Sequence, residues 1–414
     1  MQSRFTLLAT FAIAAACSVP AAAASPTIEM TWMSIANWYL KVGDRRIVMD
    51  GYITRVPQSL FVASPVFPKD MYTFTKGPYG VDVPAITRVK NAMLSTDKLD
   101  LLLVGHAHWD HSWDTPAWSR LTGAPMMGSL SACLQANAQG VTGDSCRVIS
   151  GGERFELGGG VTMRVVRWNH SGDNTNPIQH FARELYRPPV PDPATGGLRA
   201  GVGEDYPNGG GNRAFLCTID SPDGKLSLFI NNSASAFDLD KDIVVDGVSF
   251  GSPLNNLAAA MKDAGLTQVD AWVGTGGEAV AKMVVPLIHP KVYVPNHWDG
   301  LFNPFWPGMP YPFKDDALRA YLDTQKIPLL AQTQYFDKFV LTPAGVTRDA
   351  NHAVKSALGF ADVQRFSRAL LDAVNEVAST SVGDDCGEGF APPSAWARAF
   401  ALLKQRATGN LARR

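Results

Sequence analysis

Hydrophobic positions along the chain follow two periods, which together predict a layered α/β fold. Short runs that are wholly apolar, or that alternate apolar with polar residues, are typical of strands, whereas apolar residues three or four positions apart indicate helices. The strand-like segments are 28–42, 46–53, 99–104, 124–127, 146–149, 161–168, 214–219, 226–231, 269–273, 291–295 and two stretches within 327–343. The helix-like segments are 82–94, 113–121, 130–140, 254–264, 315–324 and most of the chain beyond residue 351. Strands come first in pairs and later alternate with helices, so we expect sheets with helices packed outside them.

The first 24 residues have the pattern of a secretory signal peptide. Arg4 is their one charged residue, an apolar run covers residues 5–16, and residues 22–24 are alanines that form a small-residue cleavage site. The apolar run is too short to span a membrane comfortably. We therefore expect cleavage after Ala24 and a periplasmic or secreted protein. The alternatives are a buried N-terminal helix or a lipid anchor at Cys17, although the leucine expected before such a cysteine is missing.

Glycine and proline content divides the remaining chain. In the segment 183–213, 12 of the 31 residues are Pro or Gly, which predicts a long surface loop or lid. Long loops of this kind in compact domains are usually functional or disordered. We expect one domain over residues 25–350 that contains this loop, followed by a helical C-terminal extension over residues 351–414.

Four cysteines remain after the predicted cleavage. Cys133 and Cys146 lie 13 positions apart, one in a predicted helix and one at the start of a predicted strand. Export makes a disulfide between them a reasonable hypothesis, worth about 3 kcal/mol if the chain-entropy model holds. Cys217 lies in an apolar strand pattern and is expected to be a buried free thiol.

Composition and charge narrow the range of partners. Hydrophobic residues make up 46% of the 414 positions and charged residues 18%, which is ordinary for a globular protein. The formal net charge of −1 offers no attraction to nucleic acid or to an anionic membrane surface. We therefore expect no nucleic-acid partner, and the short N-terminal apolar run predicts no membrane span, whereas the oligomeric state stays open.

The chain has only eight histidines, and three of them follow one buried strand. The segment after residues 99–104 contains His106, His108, Asp110 and His111 within six positions. Side chains two apart in an extended segment point to the same side, so His106 and His108 can bind one ion together. Imidazole and carboxylate are ligands that suit Zn²⁺. Ordinary surface histidines are the alternative, and this spacing makes that interpretation much the weaker one.

Two further histidines follow apolar strand patterns. His170 and His297 can therefore reach the same rim of a sheet as the first cluster. The remaining histidines, His180, His289 and His352, are expected to have no ligand role.

The motif His106-x-His108-x-Asp110-His111, followed by His170 and His297, resembles that of the metallo-β-lactamase-fold hydrolases. The resemblance covers roughly residues 27–341 and implies a four-layer αββα sandwich of two mixed β-sheets flanked by helices, with the metals at one edge. It also implies two zinc ions. The first would be held by His106, His108 and His170, and the second by Asp110, His111 and His297. Asp110 is further implied to orient the attacking hydroxide and to shuttle its proton.

One position departs from the family pattern. Many members carry an aspartate there that bridges both metals, but this chain has Ser233, or Asn232 if the register differs by one. The same six ligands occur in β-lactamases of this fold that lack a cysteine ligand and also have a serine here. We therefore expect two zinc ions with a weaker second site. Asn232 and Ser233 are candidates to hydrogen-bond the bridging water or the substrate, and Ser233 is as readily explained as a small residue that fits.

Other acidic and aromatic residues near the motif have open roles. Asp114 is a candidate either to accept from a ligand histidine or to cap the following helix, and Asp299 is a candidate acceptor next to His297. Eight aromatic residues near the motif or in the loops suit an apolar substrate or ordinary packing: Trp109, Trp113, Tyr186, Tyr206, Trp298, Phe302, Phe305 and Trp306.

Three functional interpretations remain open. The first is an exported zinc-dependent hydrolase in which a metal-bridging hydroxide attacks an ester, lactone, amide or phosphodiester bond. The residues in and around the ligand motifs resemble those of a branch of this superfamily that includes ascorbate-phosphate lactonases and N-acyl-phosphatidylethanolamine phospholipases. The second is a β-lactamase proper, which the ligand set and export favour. The third is a non-catalytic metal-binding protein on the same fold.

Overall fold

The computed structural model describes residues 25–57, 61–62, 74–75, 80–174, 183–190, 211–222, 224–302, 309 and 312–360. The predicted signal peptide, Cys17, His180, Tyr206, Phe305, Trp306 and the extension beyond residue 360 lie outside these residues. In the part of the chain that is described, no helix has the length and apolarity needed to cross a membrane.

Strands and helices occur in the order that the hydrophobic pattern indicates. The strands are β1 Ile28–Ser34, β2 Asn37–Val42, β3 Arg45–Met49, β4 Phe61–Val62, β5 Phe74–Thr75, β6 Leu101–Leu103, β7 Met126–Gly128, β8 Cys146–Val148, β9 Arg154–Gly158, β10 Val161–Arg167, β11 Arg213–Ser221, β12 Gly224–Ile230, β13 Val244–Val245, β14 Val248–Ser249, β15 Ala271–Gly274, β16 Tyr293–Pro295, β17 Lys338–Thr342 and β18 Gly345–Asp349. The helices are α1 Val83–Leu94, α2 Trp109–Ser112, α3 Thr115–Thr122, α4 Leu130–Ala138, α5 Pro253–Asp263, α6 Gly277–Ile288, α7 Asp316–Thr324 and α8 His352–Ala357.

Two mixed sheets form the centre of the fold. The larger has eight strands in the order β18-β17-β1-β2-β3-β6-β7-β8, and the smaller has six in the order β16-β15-β12-β11-β10-β9. In the larger sheet β3, β6, β7 and β8 run parallel to one another, and in the smaller sheet β12, β15 and β16 do so. The other pairs are antiparallel.

Alternating side chains in the strands create two apolar layers around the smaller sheet. In β11, Phe215 and Cys217 face the larger sheet, whereas Ala214 and Leu216 face the helices on the other side. Helices α5, α6 and α7 cover that outer face, and α1, α3 and α4 cover the larger sheet. The order helix, sheet, sheet, helix confirms the predicted four-layer αββα sandwich.

The turn between β1 and β2 differs from the prediction of one continuous strand over residues 28–42. It lies at Ile35 and Ala36, which are fully buried and lack the polar, Gly or Pro residues that usually mark turns. Ile35 has φ 45°, a left-handed conformation that is unusual for a β-branched residue. Trp32 Nε1 donates to Ile35 O at 2.9 Å, and Asp299 Oδ1 accepts from Ile35 N at 2.8 Å. Tertiary contacts therefore stabilise a turn that the local sequence does not predict.

Further differences concern strands, since the pattern did not predict the short strands β4, β5, β13 and β14 or the edge strand β18. The pattern did not predict β9, which pairs with β10, because only alternate residues of this short edge strand are half-buried. Two strand-like stretches were predicted within 327–343, but only the second forms a regular strand, β17. The first contributes a single β-bridge between Leu329 and Tyr293.

The cysteine predictions are confirmed. Cys133 in α4 forms a disulfide with Cys146 in β8, and Cys217 is a buried free thiol in β11. The bridge joins α4 to the edge strand of the larger sheet.

The described part of the Pro/Gly-rich segment is attached to the sandwich through Glu184. Its carboxylate accepts from Arg167 Nη1 at 3.1 Å and from Arg213 Nη2 at 2.9 Å, and both guanidinium groups are buried. Glu184 also accepts from Leu130 N at the start of α4. The role of this segment as a lid stays a prediction.

The start of the C-terminal extension packs into the core. Lys355 Nζ lies 2.5 Å from Asp337 Oδ1, and both side chains are buried. Phe360 is 1% exposed and contacts the rings of Tyr335 and Phe336. The domain boundary predicted at residue 350 stays untested, because the extension is described only to residue 360.

Candidate metal centre

The six predicted ligands come together at one edge of the sandwich. β6 leads through Gly105 into the segment that carries four of them, while His170 follows β10 and His297 follows β16. Parallel and antiparallel strand ends of both sheets thus deliver side chains to one place. The chain beyond β6 continues into the short helix α2, which carries Asp110 and His111.

The first group consists of His106, His108 and His170. One ring nitrogen from each lies within 4.8 Å of the others, which is the spacing that a shared metal ion requires. The ring centroids are 4.9 Å apart for His106 and His108, and 4.4 Å apart for His108 and His170. His170 Nδ1 lies 2.9 Å from Ser171 O, which directs its other nitrogen into the group.

His106 provides the test of whether a metal fits this group. Its Nε2 is fully buried and has no hydrogen-bond partner among the described residues. Its Nδ1 lies 3.2 Å from Asn232 Oδ1, so the imidazole donates there and presents the lone pair of Nε2 to the group. A buried lone pair that faces two other imidazoles is a suitable ligand for a metal ion.

The second group consists of Asp110, His111 and His297. Asp110 Oδ2 lies 3.0 Å from His111 Nε2 and 3.1 Å from His297 Nε2, and the three ligand atoms meet the same 4.8 Å limit. His297 has φ 57°, a left-handed conformation that is rare outside glycine. Its backbone N–H donates to Ile35 O at 3.0 Å, so the buried β1–β2 turn helps to hold this conformation.

The two groups adjoin each other. The ring centroids of His106 in the first group and His111 in the second are 3.8 Å apart. A pair of metal ions bound to the two groups would therefore be close neighbours, as in other two-metal hydrolytic sites.

Burial and neighbouring charges set the protonation states. Burial lowers the pKa of His106 well below its usual range and that of His108 to about 4, so both imidazoles are neutral. Burial favours the neutral acid of Asp110, but His111 and His297 hold its pKa well below the usual range. Burial disfavours a charged His111, but Asp110 and Asp50 outweigh it and raise the pKa to about 10. A metal ion that bound to His111 would therefore have to displace a proton.

Asp50 is a functional candidate that the sequence analysis missed. It directly follows β3, is fully buried, and accepts from His111 Nδ1 at 2.7 Å through Oδ2. The same carboxylate accepts from Gly105 N at 2.8 Å and from Asn232 Nδ2 at 2.9 Å. Its position after a buried strand that pairs with β6 was the available signal.

Asn232 and Ser233 lie beside the centre at the position of the missing carboxylate. Asn232 uses its side chain to contact Asp50 and His106, so it orients a candidate ligand. Ser233 Oγ accepts from Ser171 N at 2.9 Å, next to His170. Contacts of either residue with a water molecule or substrate stay predictions.

Gly105 is required by the close approach of Asn232. A Cβ at this position would lie 1.7 Å from Asn232 Nδ2, which no side chain can tolerate. Glycine therefore lets the amide of Asn232 reach both Asp50 and His106.

Asp114 and Asp299 have roles other than those predicted. Asp114 occupies the N-cap position of α3, but its side chain makes no cap hydrogen bond and contacts no ligand histidine. Its carboxylate instead accepts from the backbone N–H groups of Ile53 and Thr54 at 2.5 and 2.6 Å. Burial raises the pKa of Asp114 to about 7, and the hydrogen bonds from these donors offset only part of that rise. Asp299 accepts from Ile35 N and from Arg55 Nη2, and thereby braces the loop that follows His297.

The remaining histidines and aromatic residues are partly accounted for. His289 ends α6 and His352 begins α8, both away from the two groups. The buried Trp109 stacks on the half-buried Phe302, and the half-buried Trp298 stacks on the buried Trp32. Trp113 is buried and Tyr186 is 83% exposed.

Comparisons with known proteins give structural matches only. No protein-family model matches the chain, and no curated protein matches it. Igni18, a metallo hydrolase from Ignicoccus hospitalis, is 13% identical with a TM-score of 0.41, covering 76% of this chain and 98% of that one. An isothiocyanate hydrolase from Delia radicum gut bacteria is 12% identical with a TM-score of 0.42, covering 75% and 98%. The metallo-β-lactamase fold protein YhfI from Bacillus subtilis is 9% identical with a TM-score of 0.38, covering 78% and 100%.

The strand order and the site define the class of fold without reference to these low identities. Two mixed sheets lie between helices, and two adjoining groups of His and Asp lie at one edge. This is the architecture of the metallo-β-lactamase fold that the sequence motif resembles.

Proposed function

We propose that this protein is an exported zinc-dependent hydrolase of a small molecule, with two zinc ions at the two groups described above. The observation that carries the proposal is the adjacency of His106 and His111, whose ring centroids are 3.8 Å apart. Each belongs to a three-residue group suited to a metal, so the edge of the sandwich offers a binuclear centre.

The donor atoms favour zinc. Three imidazoles in the first group match a common catalytic zinc set, which leaves a position open for water or substrate. The second group has two imidazoles and one carboxylate, and no carboxylate from the Asn232–Ser233 position lies between the groups. Because that group lacks a bridging carboxylate, we infer that it binds its zinc more weakly.

The chemistry divides between the metal and the protein. Bound Zn²⁺ lowers the pKa of a coordinated water to about 7 and polarises a carbonyl or phosphoryl oxygen. Asp110 remains ionised at neutral pH because of His111 and His297, so we assign it the orientation of the attacking water and the acceptance of its proton. Asn232 and Asp50 hold His106 and His111 in the tautomers that turn Nε2 toward the metals.

Two observations support the finer parts of the proposal. The disulfide between Cys133 and Cys146 favours an oxidising compartment, in agreement with the predicted signal peptide. The half-buried aromatic side chains of Phe302 and Trp298, the second directly after His297, favour an organic substrate with an apolar portion.

A substrate panel tests the proposal. Protein purified without chelator is assayed for metal content and then with chromogenic esters, lactones, amides, phosphodiesters and a cephalosporin. We expect two zinc ions per chain, hydrolysis of at least one class, loss of that activity with chelator and recovery with added zinc. Cephalosporin turnover alone would identify a β-lactamase. Bound zinc without any hydrolysis would instead support a non-catalytic metal-binding protein.

A further inference from the structure

Helix α4 places a buried glutamine against the segment that carries the candidate ligands. Gln135 is fully buried, and its Nε2 donates to Ala107 O at 2.8 Å. Its Oε1 accepts from Ser112 Oγ at 2.7 Å. One side chain therefore contacts both ends of the segment 107–112.

That segment contains half of the ligand set, shared between the two groups. His108 belongs to the first group, whereas Asp110 and His111 belong to the second. A fixed distance between Ala107 and Ser112 therefore constrains both groups at once.

A second glutamine contacts the residue that directly follows the segment 107–112. Gln139 lies one helical turn after Gln135, and its Nε2 donates to Trp113 O at 3.0 Å. Residues four apart on a helix share a face, so α4 presents two amides to the same stretch of backbone.

Helix α4 is itself well anchored. Ser129 Oγ accepts from Ala132 N at its start, and Cys133 is bonded to Cys146 in β8. Ala132 and Ala136 pack into the core beside the larger sheet. The glutamines are thus held on a rigid element rather than on a loop.

We propose that Gln135 is a positioning residue, which closes the segment 107–112 and so sets the geometry of both metal groups. It touches neither metal nor substrate and acts through the backbone of Ala107 and the hydroxyl of Ser112. The inference rests on the proposed function, because it assumes that the two groups bind metal.

Zinc affinity of Gln135→Met tests the inference. Methionine has a similar shape and helix propensity but leaves Ala107 O and Ser112 Oγ without the amide. We expect the Kd for zinc, measured by competition with a chromogenic chelator, to rise about tenfold. The absorption bands of cobalt-substituted protein should also change, since the ligand geometry changes.

The matched control is Asn137→Ala, which alters an exposed side chain on the same helix. It should leave the zinc Kd and the cobalt spectrum as in the unaltered protein. If Gln135 were only structural, Gln135→Met would lower the melting temperature of metal-free protein without changing the Kd, and the inference would be overturned.

Ser112→Ala decides the matter if Gln135→Met does not fold. It removes the hydroxyl that donates to Gln135 Oε1, together with the contacts of that hydroxyl to Ala107 O at 3.2 Å and His108 O at 3.0 Å, which close the same segment. Weaker zinc binding supports the inference, and an unchanged Kd overturns it. Failure of the unaltered protein to bind zinc would overturn the proposed function together with this inference, whereas tight binding that neither variant affects would overturn this inference alone.

Discussion

The carboxylate of Asp50 lies 2.7 Å from Nδ1 of His111, and both side chains are fully buried. The pair joins the end of β3 to helix α2, two elements separated by 61 positions in the chain. Because Nδ1 is engaged by Asp50, the opposite ring nitrogen faces Asp110 and His297, where a metal ion would be bound.

Asp50→Asn tests the role of this pair. Asparagine keeps the shape but removes the charge that favours the His111 tautomer and its basicity. We expect the zinc Kd of the second group to rise by about 10- to 100-fold. The measurement is a zinc titration with chelator competition. Asp44→Asn, at an exposed turn position, serves as the control and should leave both zinc affinities unchanged.

His108→Ala and Asp110→Ala test one member of each group. Each should abolish hydrolysis and bound zinc at its own group, while circular dichroism shows an intact fold. His352→Ala removes an exposed histidine that belongs to neither group and should behave as the unaltered protein. Retained hydrolysis in either of the first two variants would contradict the assignment.

Gly105→Ala tests the contact between Gly105 and Asn232. The added methyl group would occupy the place of the Asn232 amide, so we expect lower stability and weaker zinc binding. In an Asn232→Ala background the same change should cost less, because the clashing amide is absent. Thermal melts and zinc titrations of the four proteins form a double-mutant cycle. Additive effects would show that the two positions are independent.

Alkylation tests the cysteine assignments. Burial raises the pKa of Cys217 to about 12, so its thiol should not react with iodoacetamide at pH 8 until the protein unfolds. Peptide mass spectrometry should recover Cys133 and Cys146 as one disulfide-linked pair. Modification of Cys217 in native protein, or free Cys133, would contradict the structure.

Much of the fold could be read from local patterns. Buried strands such as β6 and β12 are short apolar runs, and helices such as α5 begin at a capping serine followed by proline. The β1–β2 turn could not be read in this way, because its apolar residues Ile35 and Ala36 are held by distant partners such as Asp299.

In the candidate site, too, some residues could be predicted from local sequence and others depend on tertiary contacts. The spacing of His106, His108, Asp110 and His111 is a local property, and it indicated the candidate metal-binding groups that the structure brings together. Asp50 carried only the weak signal of its position after a buried strand and Gln135 carried none, since an aspartate after a strand and a glutamine in a helix are common.

The sequence by itself predicted most strands and helices of the two sheets, the candidate ligand residues and the hypothesis of a cysteine pair, because periodicity, residue chemistry and short spacing are properties of the linear chain. Only the tertiary structure decided which side chains support those ligands. Asp50, Asn232 and Gln135 come from three separate elements, and hydrogen bonds between elements depend on how the two sheets and α4 pack. Distance in space sets such contacts, and distance along the chain does not.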